Sequence, residues 1–479
     1  MSDLVHLHSG SGVFGSINYF LFSSRPIDQD QGTFSNNRES APIINGSEGP
    51  YKRGALMKFL PKLALGLLAS SLASSFLIVP PALADESSSD NFLTRLEDAL
   101  TAGQVSASLR YRYANIEQAG FAQDAAASTY QIMFGYESGE LAGFSFMGQV
   151  RHVGALSSER YNSTTNGLVQ YPVEADPEAT EVDQLFLRYN GIPNLSVTLG
   201  RRKLSWGNQR FVSALGWRQN NRSFDGIVVE STPVNGLAFR YAYSQNVNRA
   251  FTDESPVGNF DGDFHLFNGI YSGLEGSTLT GYAYVNDFDD AFALGLSSQT
   301  FGANFTTSHA FDNATVGLTL EFANQSDYGN HPSSYDANYY RVEPSLSAYG
   351  FTVKAGYEVL EGDGSNSFKT PFALLHAYNG WADQFLATPG QGLEDTYGSV
   401  SYRFGAHGTP ELFDGITATV AYHEFQAENI SMDYGTEWDA SLIIPINEHF
   451  STGFKYADYQ SDGFKVDTTK AWWFVTIRY

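Results

Sequence analysis

Segments in which apolar and polar side chains alternate recur from residue 104 to the end of the chain, and no other feature limits the possible folds so sharply. In residues 104–116, "QVSASLRYRYANI", the set Val105, Ala107, Leu109, Tyr111 and Tyr113 alternates with Ser106, Ser108, Arg110 and Arg112. That period of two describes a strand with one apolar and one polar face. Residues 236–247, "GLAFRYAYSQNV", and 351–360, "FTVKAGYEVL", obey the same rule, as do "TATVAYHEF" from Thr417 and "STGFKYADY" from Ser451. About 17 to 19 such segments can be counted, each about ten residues long, the length a tilted strand needs to cross a bilayer.

The connections alternate too. Short ones such as "NGIPN" at 190–194 trade places with long Gly/Asp/Asn/Ser stretches such as 246–262 and 324–337. Short turns at one end and long loops at the other characterise an outer-membrane barrel. Phe, Tyr and Trp make up 15% of the chain, enough for aromatic girdles at two membrane interfaces. A soluble sandwich, propeller or solenoid also alternates. Here, however, charged residues share strands with Tyr and Phe throughout, and no 40-residue repeat is evident. The expectation is an all-β, single-chain transmembrane antiparallel β-barrel of about 18 strands over residues 85–479.

The ends of the chain agree. Residues 1–56 show no sustained period and read as a disordered extension or a start set too far upstream. Residues 57–84 carry Lys58 and Lys62, an apolar core from Leu63 to Val79 and the A-x-A site Ala82-Leu83-Ala84. These are the parts of a secretory signal peptide, with Asp85 as the first mature residue. At the other terminus, "TKAWWFVTIRY" puts Trp473, Val475, Ile477 and Tyr479 on one face and Phe474, Thr476 and Arg478 on the other. A last strand ending in an aromatic residue resembles the C-terminal signal by which bacterial outer-membrane barrels are inserted.

The formal net charge is −24, and no cysteine is present. After Ala84, 22 Lys or Arg stand against 47 Asp or Glu. Such acidity argues against a general nucleic-acid binder. Yet residues 184–224 hold seven Lys or Arg and no acid. Parity assigns the faces. In "DQLFLRYN", Leu185, Leu187 and Tyr189 point to lipid while Gln184, Phe186 and Arg188 point inward; in "LSVTLGRRKL", Leu199 points out and Arg202 in. A charge facing lipid at mid-membrane costs about 2–4 kcal/mol, so the lumen is its permitted place. By the same rule Arg110, Arg112, Arg240, Arg341, Lys354, Arg403, Lys455 and Arg478 face the lumen. Arg201 and Lys203 have outward parity and are expected to snorkel at the interface. A cationic lumen concentrates anions, and guanidinium binds carboxylates bidentately. The plainer alternative is that luminal acids such as Asp183, Glu321, Glu343 and Glu358 neutralise each arginine.

Residues 181–230, with "LGRRKLSWGNQRFVSALGWRQN" and the "SFDG" turn, resemble the alginate export family of outer-membrane porins. Residues 376–404, "HAYNGWADQFLATPGQGLEDTYGSVSYRF", look like that family's second shared block. The resemblance implies an arginine-rich constriction that passes an anionic polyuronate or acidic sugar by passive diffusion. On matching positions Arg188, Arg202, Arg210, Arg218 and Arg222 would supply the basic path. Asn208, Gln209, Gln219 and Asn220 would be polar sugar contacts, with Trp206 and Trp217 as ring platforms or packing. A general porin for small solutes and a closed structural or adhesive barrel are the alternative readings.

The partners expected are outer-membrane lipid and lipopolysaccharide, the anionic solute, and a periplasmic secretion partner if that solute is a polymer. A monomer is expected, and no nucleic acid. No cofactor is expected, although acidic loops such as 251–264, "FTDESPVGNFDGDF", could hold Ca2+ or bridge lipopolysaccharide through divalent ions. His152, His265, His309, His376, His423 and His449 are scattered, with no nucleophile elbow or metal-ligand spacing, so no enzyme is expected.

Overall fold

The structure, a computed structural model, describes residues 86–479 apart from residue 158 and residues 406–412. The proposed extension 1–56 and signal peptide 57–84 lie outside the described residues. A helix that the strand pattern did not announce, α1 (Glu86–Thr101), precedes the strands. It docks on the turn after β2, where Gly139 donates to the Ala99 carbonyl at 2.8 Å.

Eighteen strands follow: β1 (Gln104–Gln118), β2 (Ala125–Glu137), β3 (Phe144–Ala155), β4 (Ala179–Ile192), β5 (Leu195–Arg202), β6 (Ser223–Val234), β7 (Leu237–Asn248), β8 (Asn259–Leu274) and β9 (Ser277–Phe288). The second half comprises β10 (Ser298–Ala310), β11 (Ala314–Asp327), β12 (Asp336–Ala348), β13 (Phe351–Leu360), β14 (Leu393–Arg403), β15 (Thr417–Gln426), β16 (Asp433–Pro445), β17 (Phe450–Ser461) and β18 (Thr468–Arg478). Each pairs antiparallel with its neighbours in the chain, and β1 closes on β18 with Leu109 opposite Ile477. No sheet edge is left open, as backbone groups in hydrocarbon require.

The alternation seen in sequence is the alternation of faces. Along β8, Phe260, Phe264, Leu266 and Asn268 are buried inward, while Asp261, Asp263, His265 and Phe267 are exposed. Outward apolar side chains such as Phe134, Leu199, Leu320 and Ile477 are left uncovered by protein, as a lipid-facing band demands. In β4 the parity slips at a bulge opposite Gln149 and Val150, which turns Asp183 inward beside Gln184.

The core lies inside the barrel, at the end that carries the long loops. Loops 156–178, 203–222 and 361–392 fold back into the lumen and meet the inward side chains of the wall. Phe211 packs on Tyr282, Tyr284 and Tyr339, and Trp217 packs edge-on against Trp472 and Phe474. Phe372 meets Phe224 and Phe264, and Phe385 meets Phe425 and Tyr434. Two of the loops are joined to each other, Ser213 donating to the Phe372 carbonyl at 2.9 Å and Leu374 to that of Gln209 at 2.8 Å.

Candidate functional site: the luminal constriction

Loop 203–222 is acid-free along the chain but not in space. Arg218 lies 3.0 Å from Glu174; Arg112 of β1 reaches the same carboxylate at 2.8 Å and contacts Asp176 as well. Both acids come from loop 156–178, which enters the lumen beside it. Arg210 pairs with Glu358 of β13 at 3.0 Å and stacks on the Tyr378 ring at 4.6 Å. Arg222 instead donates to the carbonyls of Pro371, Ala373 and Ser213 at 3.1–3.4 Å. Burial lowers its guanidinium to about 9, with the like charge of Arg249 adding to the effect. Arg112, Arg210, Arg218 and Arg222 are each at most 2% exposed. They brace the inward loops rather than stand free on a water-filled surface.

The polar side chains of the same segment are also engaged. Asn208 donates to Glu321 at 2.7 Å, and Gln209, at φ 65°, accepts from Ser213 at 3.1 Å. Gln219 accepts from Arg110 and donates to Thr129, both at 3.0 Å. Asn220 donates to the Pro177 carbonyl at 2.8 Å and accepts from Arg151 at 3.1 Å. Gln219 and Asn220 are fully buried, so their amides hold loop 203–222 to the wall. Trp206 and Trp217 are buried as packing.

Accessible positive charge lies on the strands of the wall. Arg202 and Arg240 share one carboxylate, Glu230, at 2.9 and 3.5 Å. Arg341 and Lys354 share Glu343 at 2.8 and 3.0 Å. Arg110 donates to neutral acceptors: the Gly216 carbonyl at 2.7 Å, the Arg218 carbonyl and the Gln219 amide. These three stations, on β1, on β5–β7 and on β12–β13, lie roughly a third of the circumference apart in strand order. Within ion-pair distance one carboxylate serves two cations at the second and third stations and none serves Arg110, while Glu321 of β11 stands opposite Arg341 in register. Arg188 is paired with Glu137 at 2.5 Å, and Arg403 is exposed at the end of β14.

Two expectations about neighbouring cations change. Arg201 keeps its outward parity, but it is locked bidentately to Asp225 at 2.8 and 2.9 Å and does not snorkel alone. Lys203 follows the last residue of β5, so strand parity no longer governs it, and it turns inward to Asp183 at 2.7 Å. Among the suggested counter-charges, Asp183, Glu343 and Glu358 are paired as described, whereas Glu321 takes hydrogen bonds from Asn208 and Tyr282. Sequence reasoning missed Glu137, Glu174, Asp176 and Glu230. Parity in β6 would have found Glu230, two residues from the inward Val228. Glu174 and Asp176 lie in a loop, where no period points to a partner.

In the acidic segment 251–264, Asp263 accepts from Tyr243 at 2.6 Å, and the backbone N–H of Asp261 donates to Asp290 at 2.7 Å. Among the described residues no three acidic or imidazole side chains are grouped so as to hold a metal ion.

The alginate export family model matches residues 103–339, which run from the start of the barrel into β12. The second block, 376–404, lies beyond that match. No curated protein sequence matches the chain. Among solved structures, Pseudomonas aeruginosa OccK3 (OpdO) is similar at 16% identity and a TM-score of 0.62, covering 81% of this chain and 98% of its own. Acinetobacter baumannii OccAB3 is similar at 14% identity and a TM-score of 0.63, covering 79% and 100%. Pseudomonas aeruginosa OpdK, solved with vanillate, is similar at 14% identity and a TM-score of 0.61, covering 79% and 99%. At these identities the likeness is one of fold, and the fold is that of outer-membrane porins. Matched by the alginate export family model from β1 into β12 and closed into the barrel those porins share, the chain carries an alginate export domain and is a porin or exporter of the bacterial outer membrane.

Proposed function

We propose that the protein passes anionic solutes, acidic sugars or a polyuronate chain, by diffusion along a lumen whose wall carries excess positive charge. The observation that carries this reading is the stoichiometry of the stations. One Glu serves two cations at Arg202/Arg240 and again at Arg341/Lys354, and Arg110 has neutral acceptors. An anion entering this zone meets uncompensated guanidinium and ammonium groups already held in place, so little side-chain entropy is lost on contact. Inward hydroxyls, Ser347 with Thr352 on β12–β13 and Ser401 with Thr419 on the adjacent β14–β15, each pair 2.8–2.9 Å apart, provide partners for sugar hydroxyls. The family's name favours a polyuronate.

A second reading is favoured by the packing of three loops into the lumen: small carboxylates would pass and long chains would not. The fold neighbour solved with vanillate, an aromatic carboxylate, fits that reading.

Single-channel current across a planar bilayer under a salt gradient tests both. Anion-selective current blocked by polyuronate oligomers, with selectivity lost in an Arg202→Ala, Arg240→Ala, Lys354→Ala variant, supports the proposal. Block by monomeric uronate and indifference to long oligomers selects the small-solute reading. Cation-selective current sinks both.

A further inference from the structure

Residues 376–383 form a turn of loop 361–392 that is fastened to the wall almost entirely through charged groups. The His376 Nδ1 lies 2.8 Å from Asp383, and its Nε2 lies 2.5 Å from the ammonium of Lys455 on β17. An ammonium only donates, so Nε2 must offer its lone pair and Nδ1 must carry the ring proton, which goes to Asp383. The ring is therefore neutral in the fastened state. Lys455 also lies 3.6 Å from the Trp381 ring and 5.0 Å from that of Trp217. Trp217 belongs to loop 203–222 and stacks on His376 at 5.4 Å, tilted by 7°. The two inward loops 203–222 and 361–392 thus come together with the wall lysine at this imidazole.

The charged surroundings come from every adjoining element. Asp383 takes Lys470 of β18 at 3.4 Å. On β16, Glu437 accepts the Ala382 N–H at 2.5 Å and Asp439 the Trp381 N–H at 3.2 Å. Asp439 lies 3.8 Å from His423 of β15, whose other ring nitrogen meets Asp395 of β14 at 2.9 Å. Arg112 of β1 lies 4.9 Å from the Trp217 ring. The backbone of the turn holds two non-glycine residues, Asn379 and Asp383, in the left-handed region at φ of 55° and 60°, with Gly380 between them at 82°. A Cβ at Gly380 would stand 2.4 Å from the Glu437 carboxylate. Such conformations persist only while surrounding contacts enforce them.

We propose that this turn is an acid-released clip, in which protonation of His376 frees residues 376–383 from the wall and widens the lumen beside them. A proton from solvent takes the Nε2 lone pair, the Lys455 N–H loses its acceptor, and two cations then face each other across that short gap. The gate is independent of which solute passes.

The chain has no cysteine, so one can be introduced as a reporter. Ala382 is fully buried under the clip, and Ser365 is exposed in the same loop. In the refolded full barrel in liposomes, the methanethiosulfonate labelling rate of Ala382→Cys is divided by that of Ser365→Cys, which removes the thiol's own pH dependence. The ratio is expected to rise about tenfold or more between about pH 7.5 and about pH 5, the range in which imidazole titrates. In a His376→Gln background, neutral throughout, it should stay flat. A ratio indifferent to pH, or a rise that survives His376→Gln, overturns the proposal. Conductance of the barrel without any cysteine gives a second readout: it should increase on acidification and lose that response in His376→Gln, and an unchanged conductance counts against the clip.

Discussion

Arg210 and Glu358 form an ion pair 3.0 Å apart at 1% exposure each, tying loop 203–222 to β13 deep inside the barrel. Removing one partner strands the other charge away from water, so Arg210→Ala or Glu358→Gln should destabilise the fold by about 3–5 kcal/mol. Replacing both, as Arg210→Met with Glu358→Leu, should cost much less, since two desolvated charges disappear together. Urea titrations of the reconstituted protein followed by tryptophan fluorescence check this. Equal losses in the single and double variants would show that the site matters for packing alone.

The shared carboxylates give a selectivity prediction of definite sign. Glu230→Gln and Glu343→Gln each remove a negative charge from a station with two cations. Reversal potentials should move toward stronger anion preference in both variants, and most in the double one. The shift should shrink at high salt, where the charges are screened.

Lys369 provides a pH dependence. Its ammonium lies 4.1 Å from the Tyr335 ring, and burial lowers it from 10.5 to about 8. The unfolded chain therefore holds this proton over a window in which the folded chain has released it, and stability gains from Lys369 as pH rises from about 8 toward 10.5. Below that window the cost of the buried charge is fully present. Lys369→Met should raise stability at neutral pH and flatten the alkaline gain relative to wild type, as read by urea midpoints across the range.

The lipid face can be tested with one substitution on each parity. Leu320 lies near the middle of β11 with its side chain outward, and Thr319 is its inward neighbour. Leu320→Arg should cost about 2–4 kcal/mol in a bilayer, whereas Thr319→Arg should cost well under that because the lumen is polar. Matched refolding titrations in liposomes compare the two; a cost as large at Thr319 would contradict the assignment of faces.

Much of the architecture can be read from local pattern because a strand's two faces see different solvents. Val105 to Tyr113, the alternation in β7 and the aromatic C-terminus each announce a membrane strand without reference to any distant residue. The site is less legible. Parity correctly turns Arg188, Arg202 and Arg240 inward, but it is silent about Glu174 and Asp176, which arrive from a loop with no period. It also fails at Lys203, one residue past the strand, where the chain is free to turn.

Strand number, closure, membrane face and compartment were thus determined by the sequence itself, since a period of two fixes which side chains lipid can touch whatever lies across the barrel. The charge state of the constriction was decided by the tertiary structure alone. A run of seven cations without an acid looks like a basic surface along the chain. Folded inward, Arg210 and Arg218 meet Glu358 and Glu174 and Arg222 meets backbone carbonyls, so excess charge survives where one carboxylate serves two cations and at Arg110. The reason is that charge balance depends on distance in space, and a barrel brings together residues from strands and loops that no local period connects.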